Sequence, residues 1–211
     1  MNLRIYQFGS ALSLLLLGVL FGGGFQAAPD KNGVVDINGL IEASNFGKGV
    51  RTNLDKMRSG REEILSFIDA NRVLTLEQAT RLRDLTLKPD RTPAETAELD
   101  TLKATVVATN KKWTELATKP NLTNEDRTIL QDYADRAQKM SELGNTWVRV
   151  FTNDIDAWLE TQKTESAARA REAIGSTAKT QGYTMIYDKA FAPYGANDLT
   201  DAALATMNAK P

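Results

Sequence analysis

The side chains of this sequence that could still support acid–base catalysis are carboxylates, because none of its 211 residues is histidine or cysteine. Without histidine the chain lacks the commonest general base and metal ligand. Without cysteine it lacks disulfides, thiolate catalysis and most kinds of zinc site. It also lacks a phosphate-binding loop of the Gly-x4-Gly-Lys-Ser/Thr type. We therefore expect a protein that is not an enzyme and that binds no cofactor or metal, although carboxylates alone could carry some catalysis.

The charged side chains are numerous and evenly mixed. There are 26 Lys and Arg residues against 27 Asp and Glu residues, which gives a net charge of −1. No basic run indicates a nucleic-acid surface, and no acidic tail indicates a disordered arm. With 42% hydrophobic residues, the composition is that of a soluble protein of one or two domains.

The N-terminal segment has the layout of a secretory signal. Arg4 precedes an almost wholly apolar run at 11–21, and small, flexible residues follow at 22–28. The apolar run is shorter than the roughly 20 residues that a membrane-spanning helix needs. Residues 1–28 are therefore predicted to be a signal peptide that directs export, and an uncleaved N-terminal anchor is the alternative.

The longest helical pattern runs from 123 to 181 without a proline. A helix of that span would be about 88 Å long, which is more than the roughly 40 Å diameter of a compact globule of this chain length. Its apolar stripe therefore needs a partner helix, and a coiled-coil stalk without a binding role is one reading of it. The stripe has the spacing of a heptad seam and contains Leu130, Tyr133, Ala137, Met140, Gly144, Trp147 and Phe151.

Three further helices are predicted before this one. The first runs from about 50 to 70, after a joint rich in helix-breaking residues at 44–49. The second and third begin with capping boxes, in which a threonine caps the helix and a Gln or Glu three residues later caps the threonine. These boxes are Thr75 with Gln78 and Thr92 with Glu95, and breaks between helices are predicted near 71–75, 88–92 and 119–123.

Strand-like segments lie at the two ends of the predicted mature chain. A short strand is predicted at 33–38, and a β-hairpin is predicted from 183–187 and 190–194 on either side of Asp188-Lys189. A short helix at 199–207 follows, capped by Asn197-Asp198. The predicted fold is thus mainly α, with a long antiparallel helical hairpin on a small β-body. The hairpin arm would take residues 47–181, and the body would take 33–46 and 182–209.

A body this small buries little apolar area, so we expect it to need association with other subunits. Its aromatic residues are therefore interpreted as a subunit interface. The predicted interface residues are Val35, Ile37, Met185, Tyr187, Phe191 and Tyr194.

The ordered set of segments resembles the Skp (OmpH-like) family of periplasmic chaperones. The resemblance rests on the signal segment, on VVDINGLIEASNFGKGVRTNLDKM at 34–57 and on GYTMIYDKAFAPYGANDLTDAALATMN at 182–208. It covers both ends of the chain, and the middle only by helical character. The chain departs from the family in the extra helical segment at 74–123 and in its near-neutral charge, since family members are often strongly basic.

The resemblance implies a homotrimer that holds unfolded outer-membrane proteins in the periplasm without ATP. An exported coiled-coil or envelope spacer protein without chaperone activity is the alternative. In the chaperone reading, clients would contact large aromatic side chains of the arm. The candidates are Trp113, Trp147, Phe151 and Trp158. Of these, Trp147 and Phe151 lie on the seam and should be mostly core, while Trp158 is the best candidate for partial exposure toward a cavity.

Overall fold

The computed structural model describes residues 31–209 and is mainly helical, as predicted. Contacts divide it into two compact units. The helical unit comprises residues 43–168, and the terminal unit comprises 31–42 together with 169–209. The predicted signal peptide lies outside the described residues. In chain order the elements are β1 (Asn32–Val35), α1 (Ile37–Ala43), α2 (Asn45–Ala70), α3 (Leu76–Leu87), α4 (Pro93–Ala117), α5 (Asn124–Gln181), β2 (Met185–Asp188) and α6 (Thr200–Asn208).

The helices of the helical unit begin at local capping signals. The backbone N–H of Gly47 donates to Ser44 Oγ at 2.9 Å, so α2 starts at Asn45 and the predicted breaker-rich joint at 44–49 is helical. The later starts agree with prediction, because in each a threonine and a residue three positions on cap each other. These pairs are Thr75 with Gln78, Thr92 with Glu95, and Thr123 with Asp126.

Helices α2 and α5 run antiparallel within the helical unit. Arg61 of α2 pairs with Asp154 of α5 at 3.6 Å. Further toward the end of α2, Ile68 lies opposite Gly144. Residue numbers therefore fall along α5 as they rise along α2, which is the arrangement expected of an antiparallel pair.

Helix α4 runs parallel to α2. Lys103 of α4 forms an ion pair with Glu63 of α2, and the side-chain amide of Asn110 donates to the carbonyl of Ala70 at 3.3 Å. With the short turns at 71–75, 88–92 and 118–123, the helical unit consists of four packed helices in alternating directions. The breaks predicted near 71–75, 88–92 and 119–123 are thus the turns that let α3 and α4 pack in this unit.

One hydrophobic core joins all four helices. Burying a Leu, Ile or Phe side chain in such a core contributes about 1.5–3 kcal/mol each relative to leaving it in water. The predicted seam of α5 supplies three of its members, and α3 supplies a large share of the rest. The core residues are Ile64, Ile68, Val73, Leu74, Ala79, Leu82, Leu85, Leu99, Val106, Met140, Trp147 and Phe151.

The terminal unit is organised around β1. On one edge β1 pairs with β2 in parallel, with Asn32 opposite Met185 and Val35 opposite Asp188. On its other edge, Val34 donates to the carbonyl of Asn197 and accepts from Leu199 N–H, both at 2.8 Å. Helix α6 contacts the end of α5, where the hydroxyls of Thr177 and Thr206 share a hydrogen bond of 2.9 Å. The buried apolar residues of the unit are Val34, Val35, Leu40, Ala170, Ala173, Leu199, Ala203 and Met207.

The prediction of a C-terminal β-hairpin is wrong. Residues 190–194 form turns and not a second strand. The reason lies at Asp188, whose carbonyl accepts the N–H groups of Phe191 at 2.9 Å and Ala192 at 3.1 Å, so the chain curls as soon as β2 ends. The first strand is also shorter than predicted, because α1 begins at Ile37.

Candidate binding surfaces

The terminal unit exposes four large apolar side chains along one short segment. Met185 and Tyr187 alternate with the half-buried Ile186 and Asp188 in β2, so the first two share one exposed face. Beyond the strand, Phe191 is 89% exposed and Tyr194 is 98% exposed. We call Met185, Tyr187, Phe191 and Tyr194 the aromatic edge. Exposed apolar patches of this kind mark interaction surfaces more often than isolated apolar residues do.

Hydrogen bonds and an ion pair fix the turn that carries Phe191 and Tyr194 of the aromatic edge. The carboxylate of Asp188 accepts the N–H of Ala190 at 3.0 Å. Lys189 forms an ion pair with Asp198 at 2.7 Å, and hydrogen bonds from Lys189 and Thr200 lower the pKa of Asp198 to about 2. At the end of the turn, a Cβ on Gly195 would lie only 2.1 Å from Cγ1 of Val34, so the backbone closes directly onto β1.

Strand β2 lies at an edge of the small sheet. Among the described residues β2 pairs with β1 alone, whereas β1 is bonded on both of its edges. Within residues 31–209, the outer edge of β2 therefore carries backbone groups without a strand partner, and such edges can pair with another strand. The aromatic edge thus combines exposed apolar side chains with an open strand edge.

Two of the six residues predicted for the subunit interface are not part of this surface. Val35 is buried inside the terminal unit, and Ile37 is half-buried at the start of α1. Val35 cannot supply interface area, because its side chain is almost fully buried and β1 is bonded on both of its edges. The other four predicted interface residues are the four members of the aromatic edge.

Trp147 and Phe151 are core residues, as their place on the seam predicted. Each is 5% exposed, and their ring centroids are 6.0 Å apart at an angle of 31°. Arg83 lies over the Trp147 ring and Arg61 over the Phe151 ring, both at 5.4 Å from the centroid. These rings offer no surface to a partner, so naming them as client-contact residues was incorrect.

The two other tryptophans keep part of their surface accessible. Trp113 of α4 is partly buried and packs against the shared core. Trp158 of α5 is also partly buried, and it lies beyond the stretch of α5 that contributes to that core. These two remain candidates for contact with a partner.

A groove that sequence reasoning missed runs along α2 and α5. It consists of two cavities of 330 and 380 Å³ that share Leu65 and Val148 in their walls. Val148 is 49% exposed. On α2 the wall extends from Arg58 to Asp69, a length of about 16 Å at 1.5 Å per residue, and Arg72 adds to it beyond the end of the helix. Leu65 and Val148 each directly follow a core residue, Ile64 and Trp147, and that adjacency is the only signal of the groove that the sequence carries.

The α2–α5 groove is apolar at its base and polar along its rim. Leu65, Val148 and Ile155 line it, with the core residues Met140 and Phe151 beneath. Charged and polar side chains flank this base on both helices. They are Arg58, Arg61, Glu62, Ser66, Asp69, Arg72, Ser141, Asn145 and Thr152.

The turns before α4 and α5 have the same construction. In the first, Lys88 Nζ contacts the carboxylate of Glu95 at 2.6 Å, and in the second, Lys119 Nζ contacts that of Asp126 at 2.6 Å. In each, the lysine and the N–H of the capping threonine lower the pKa of the carboxyl to about 2. We call these the ion-paired turns.

Between residues 31 and 209, no cluster of three or more acidic side chains is arranged to hold a metal ion. None of the helices in this described range is long and apolar enough to cross a membrane.

Comparison with known proteins gave no match. No protein-family model, no curated protein and no solved structure is detectably similar to this chain.

Proposed function

We propose that this protein is an exported, ATP-independent holdase chaperone of the periplasm, which binds unfolded outer-membrane proteins and keeps them soluble. The α2–α5 groove is the observation that supports this proposal most. A groove about 16 Å long could take roughly five residues of an extended chain at 3.3–3.4 Å per residue. Because its base is apolar and its rim carries charges of both signs, the groove could bind client segments of many different sequences.

The aromatic edge supports an oligomer in this proposal. Three or more protomers would associate through Met185, Tyr187, Phe191 and Tyr194, and a homotrimer is the state we propose. The helical unit of each protomer would then serve as an antiparallel helical arm on a body built from the terminal units. Clients would bind to several arms at once through many weak apolar contacts, with Trp113 and Trp158 adding to the groove.

The deciding experiment is an aggregation assay on the mature protein. An unfolded β-barrel membrane protein is diluted from denaturant with and without the chaperone, and light scattering is recorded. A holdase should suppress aggregation at a near-stoichiometric ratio without ATP. If scattering is unchanged at a several-fold excess of folded protein, the holdase proposal is wrong.

A structural role as a coiled-coil or envelope spacer is the second candidate. The extent of α5, from Asn124 to Gln181, is the observation that favours it, because so long a helix suits a spacer as well as an arm. A spacer would show no aggregation suppression and would instead bind folded envelope components. The same assay therefore separates the two candidates.

A further inference from the structure

The two ion-paired turns stand at the two ends of α4. They share the pattern Lys-Pro-x-x-Thr-x-x-acid, at 88–95 and at 119–126. In both, the lysine belongs to the end of one helix and the acidic residue to the first turn of the next. The carboxylate thus ties two helices together and caps the second helix at the same time.

Each carboxylate makes several hydrogen bonds that depend on its negative charge. Glu95 accepts from Lys88 Nζ at 2.6 Å, from Thr92 N at 2.9 Å and from Thr92 Oγ1 at 3.1 Å. Asp126 accepts from Lys119 Nζ at 2.6 Å and from Thr123 N at 2.9 Å. Hydrogen bonds to a charged acceptor are roughly twice as strong as neutral ones. Protonation of the carboxylate therefore weakens all the hydrogen bonds of its turn together.

Between these turns, helix α4 buries few apolar side chains. Of its 25 residues, Leu99 and Val106 are fully buried, and Leu102 and Trp113 pack partly against the core. Helix α3, with only 12 residues, buries Ala79, Leu82 and Leu85. Helix α4 therefore depends more on its ends than its shorter neighbour does.

We propose that the two ion-paired turns hold α4 on the helical unit at neutral pH and release it in acid, so that α4 is the first helix of the unit to detach. Detachment would expose core residues that α4 covers and would also remove Lys103 from its place over the ring of Phe67 of α2, 6.0 Å from the ring centroid. The proposal does not rest on the proposed chaperone function.

The direction of the pH effect follows from the two protonation equilibria. Each carboxyl has a pKa of about 2 in the folded state, against ordinary values of 4.5 for Glu and 3.8 for Asp. A lowered folded pKa means that the stabilisation is complete above about pH 5 and is lost as the pH falls toward 2. Release of α4 is thus expected between pH 4.5 and 2.

A second ion pair joins α3 and α4 beside Glu95. Arg81 binds the carboxylate of Glu98 through two hydrogen bonds of 2.6 Å, and this contact lowers the pKa of Glu98. The same contact raises the pKa of the Arg81 guanidinium, and the charges of Glu95 and Asp84 add to that effect. At the second turn, Lys119 is the charged group that lowers the pKa of Asp126. Protonation of Glu98 in acid removes a further tie between α3 and α4.

The test uses a variant that imitates protonation at neutral pH. Glu95→Gln with Asp126→Asn removes both charges, and hydrogen exchange is measured by mass spectrometry at pH 7. We expect peptides of 94–117 to exchange at least tenfold faster, and peptides of 76–87 less than threefold faster. The matched control, Asp90→Asn with Glu125→Gln, removes two charges from the same region outside the ion pairs and should exchange like the wild type.

A second measurement uses the wild type, so its result does not depend on whether a variant folds. Exchange is followed from pH 7 to pH 2.5 and corrected for the intrinsic pH dependence of amide exchange. Protection of 94–117 should fall at a higher pH than protection of 57–70 and 136–154. The proposal is overturned if these segments lose protection together, or if the double variant protects α4 as fully as the control does.

Discussion

Gly144 of α5 faces Ile68 of α2, and a methyl group on Gly144 would lie 3.6 Å from Cδ1 of Ile68. That separation is ordinary van der Waals contact, so an alanine fits without displacing the neighbouring helix. The glycine is therefore not required by close packing. It leaves the middle of a long helix with less intrinsic helix propensity than alanine would supply.

Replacing this glycine should stabilise the helical unit. Alanine is favoured over glycine in a helix interior by about 1 kcal/mol, and Gly144→Ala should raise the free energy of unfolding by about that amount. Denaturant unfolding followed by circular dichroism measures it. Gly175→Ala is the control, because nothing lies within 4 Å of that position and the gain there comes from propensity alone.

The same variant tests whether α5 must bend for function. If flexing at Gly144 matters for holding clients, Gly144→Ala should reduce capture of large clients and leave small clients unaffected. Equal capture across client sizes would mean that the glycine has no such role.

The aromatic edge should control the oligomeric state. Tyr187→Asp with Phe191→Asp places two charges on the surface proposed for association, and we expect this variant to be monomeric under conditions in which the wild type forms the proposed trimer. Light scattering at micromolar concentration measures this. Ser176→Asp with Thr180→Asp adds the same charge to exposed positions of the same unit and should remain trimeric. A monomeric wild type would contradict the trimer proposal outright.

The α2–α5 groove should contribute to client holding. Val148→Asp introduces a charge between its two cavities, and we expect several-fold weaker suppression of client aggregation with the fold retained. Val107→Asp is the matched control, because Val107 is a similarly exposed valine on α4 and lies outside the walls of the groove. Equal losses in the two variants would show that the groove is not the client surface.

Trp147 and Trp158 should have different roles, the first in stability and the second in client binding. Trp147→Ala empties a core position and should destabilise the unit by roughly 3–5 kcal/mol. Trp158→Ala should leave the melting temperature nearly unchanged and weaken client holding several-fold at most. Acrylamide quenching in single-tryptophan variants checks the difference. Trp158 should be more accessible than Trp147, and added client should shield it.

Gly195 should be intolerant of any side chain. Its added methyl would meet Val34 at 2.1 Å, so Gly195→Ala must displace either the turn or β1. We expect a lower melting temperature and faster proteolysis of the terminal unit. Gly175→Ala, within the same unit, should produce neither effect. If both variants melt like the wild type, the close approach at Gly195 is not structurally important.

The helix starts could be predicted because their causes are local. The capping boxes at Thr75 and Thr92 and the cap at Thr123 need only residues within the next turn, and all three occur as predicted. The helix that starts at Asn124 ends at Gln181, where Gly182 has a φ of +71° and suits a helix-ending glycine.

One error was local, and the others arose where distant residues decide the outcome. The segment 190–194 has strand-like composition, but hydrogen bonds to the nearby Asp188 carbonyl curl it. Val35 reads as an apolar strand residue, and only the pairing of β1 on both edges shows that it is interior. Periodicity on α5 predicted which of its residues face another helix, but it could not reveal the groove, because Leu65 and Val148 become its walls only once the two helices are paired.

The pairing of β1 has a consequence for the order of folding. Thr184, next to β2, bonds the carbonyl of Lys31 across 153 positions of sequence, so the sheet is a contact of very high sequence separation. The helical unit is continuous in sequence and is complete at residue 168, before β2 emerges in N- to C-terminal synthesis or translocation. Since long-range pairing is slow and local helix packing is fast, α2 to α4 should assemble first. Until β2 has been synthesised, β1 remains an apolar strand without its partner and is prone to aggregate. A chain truncated before residue 185 would keep β1 in that state.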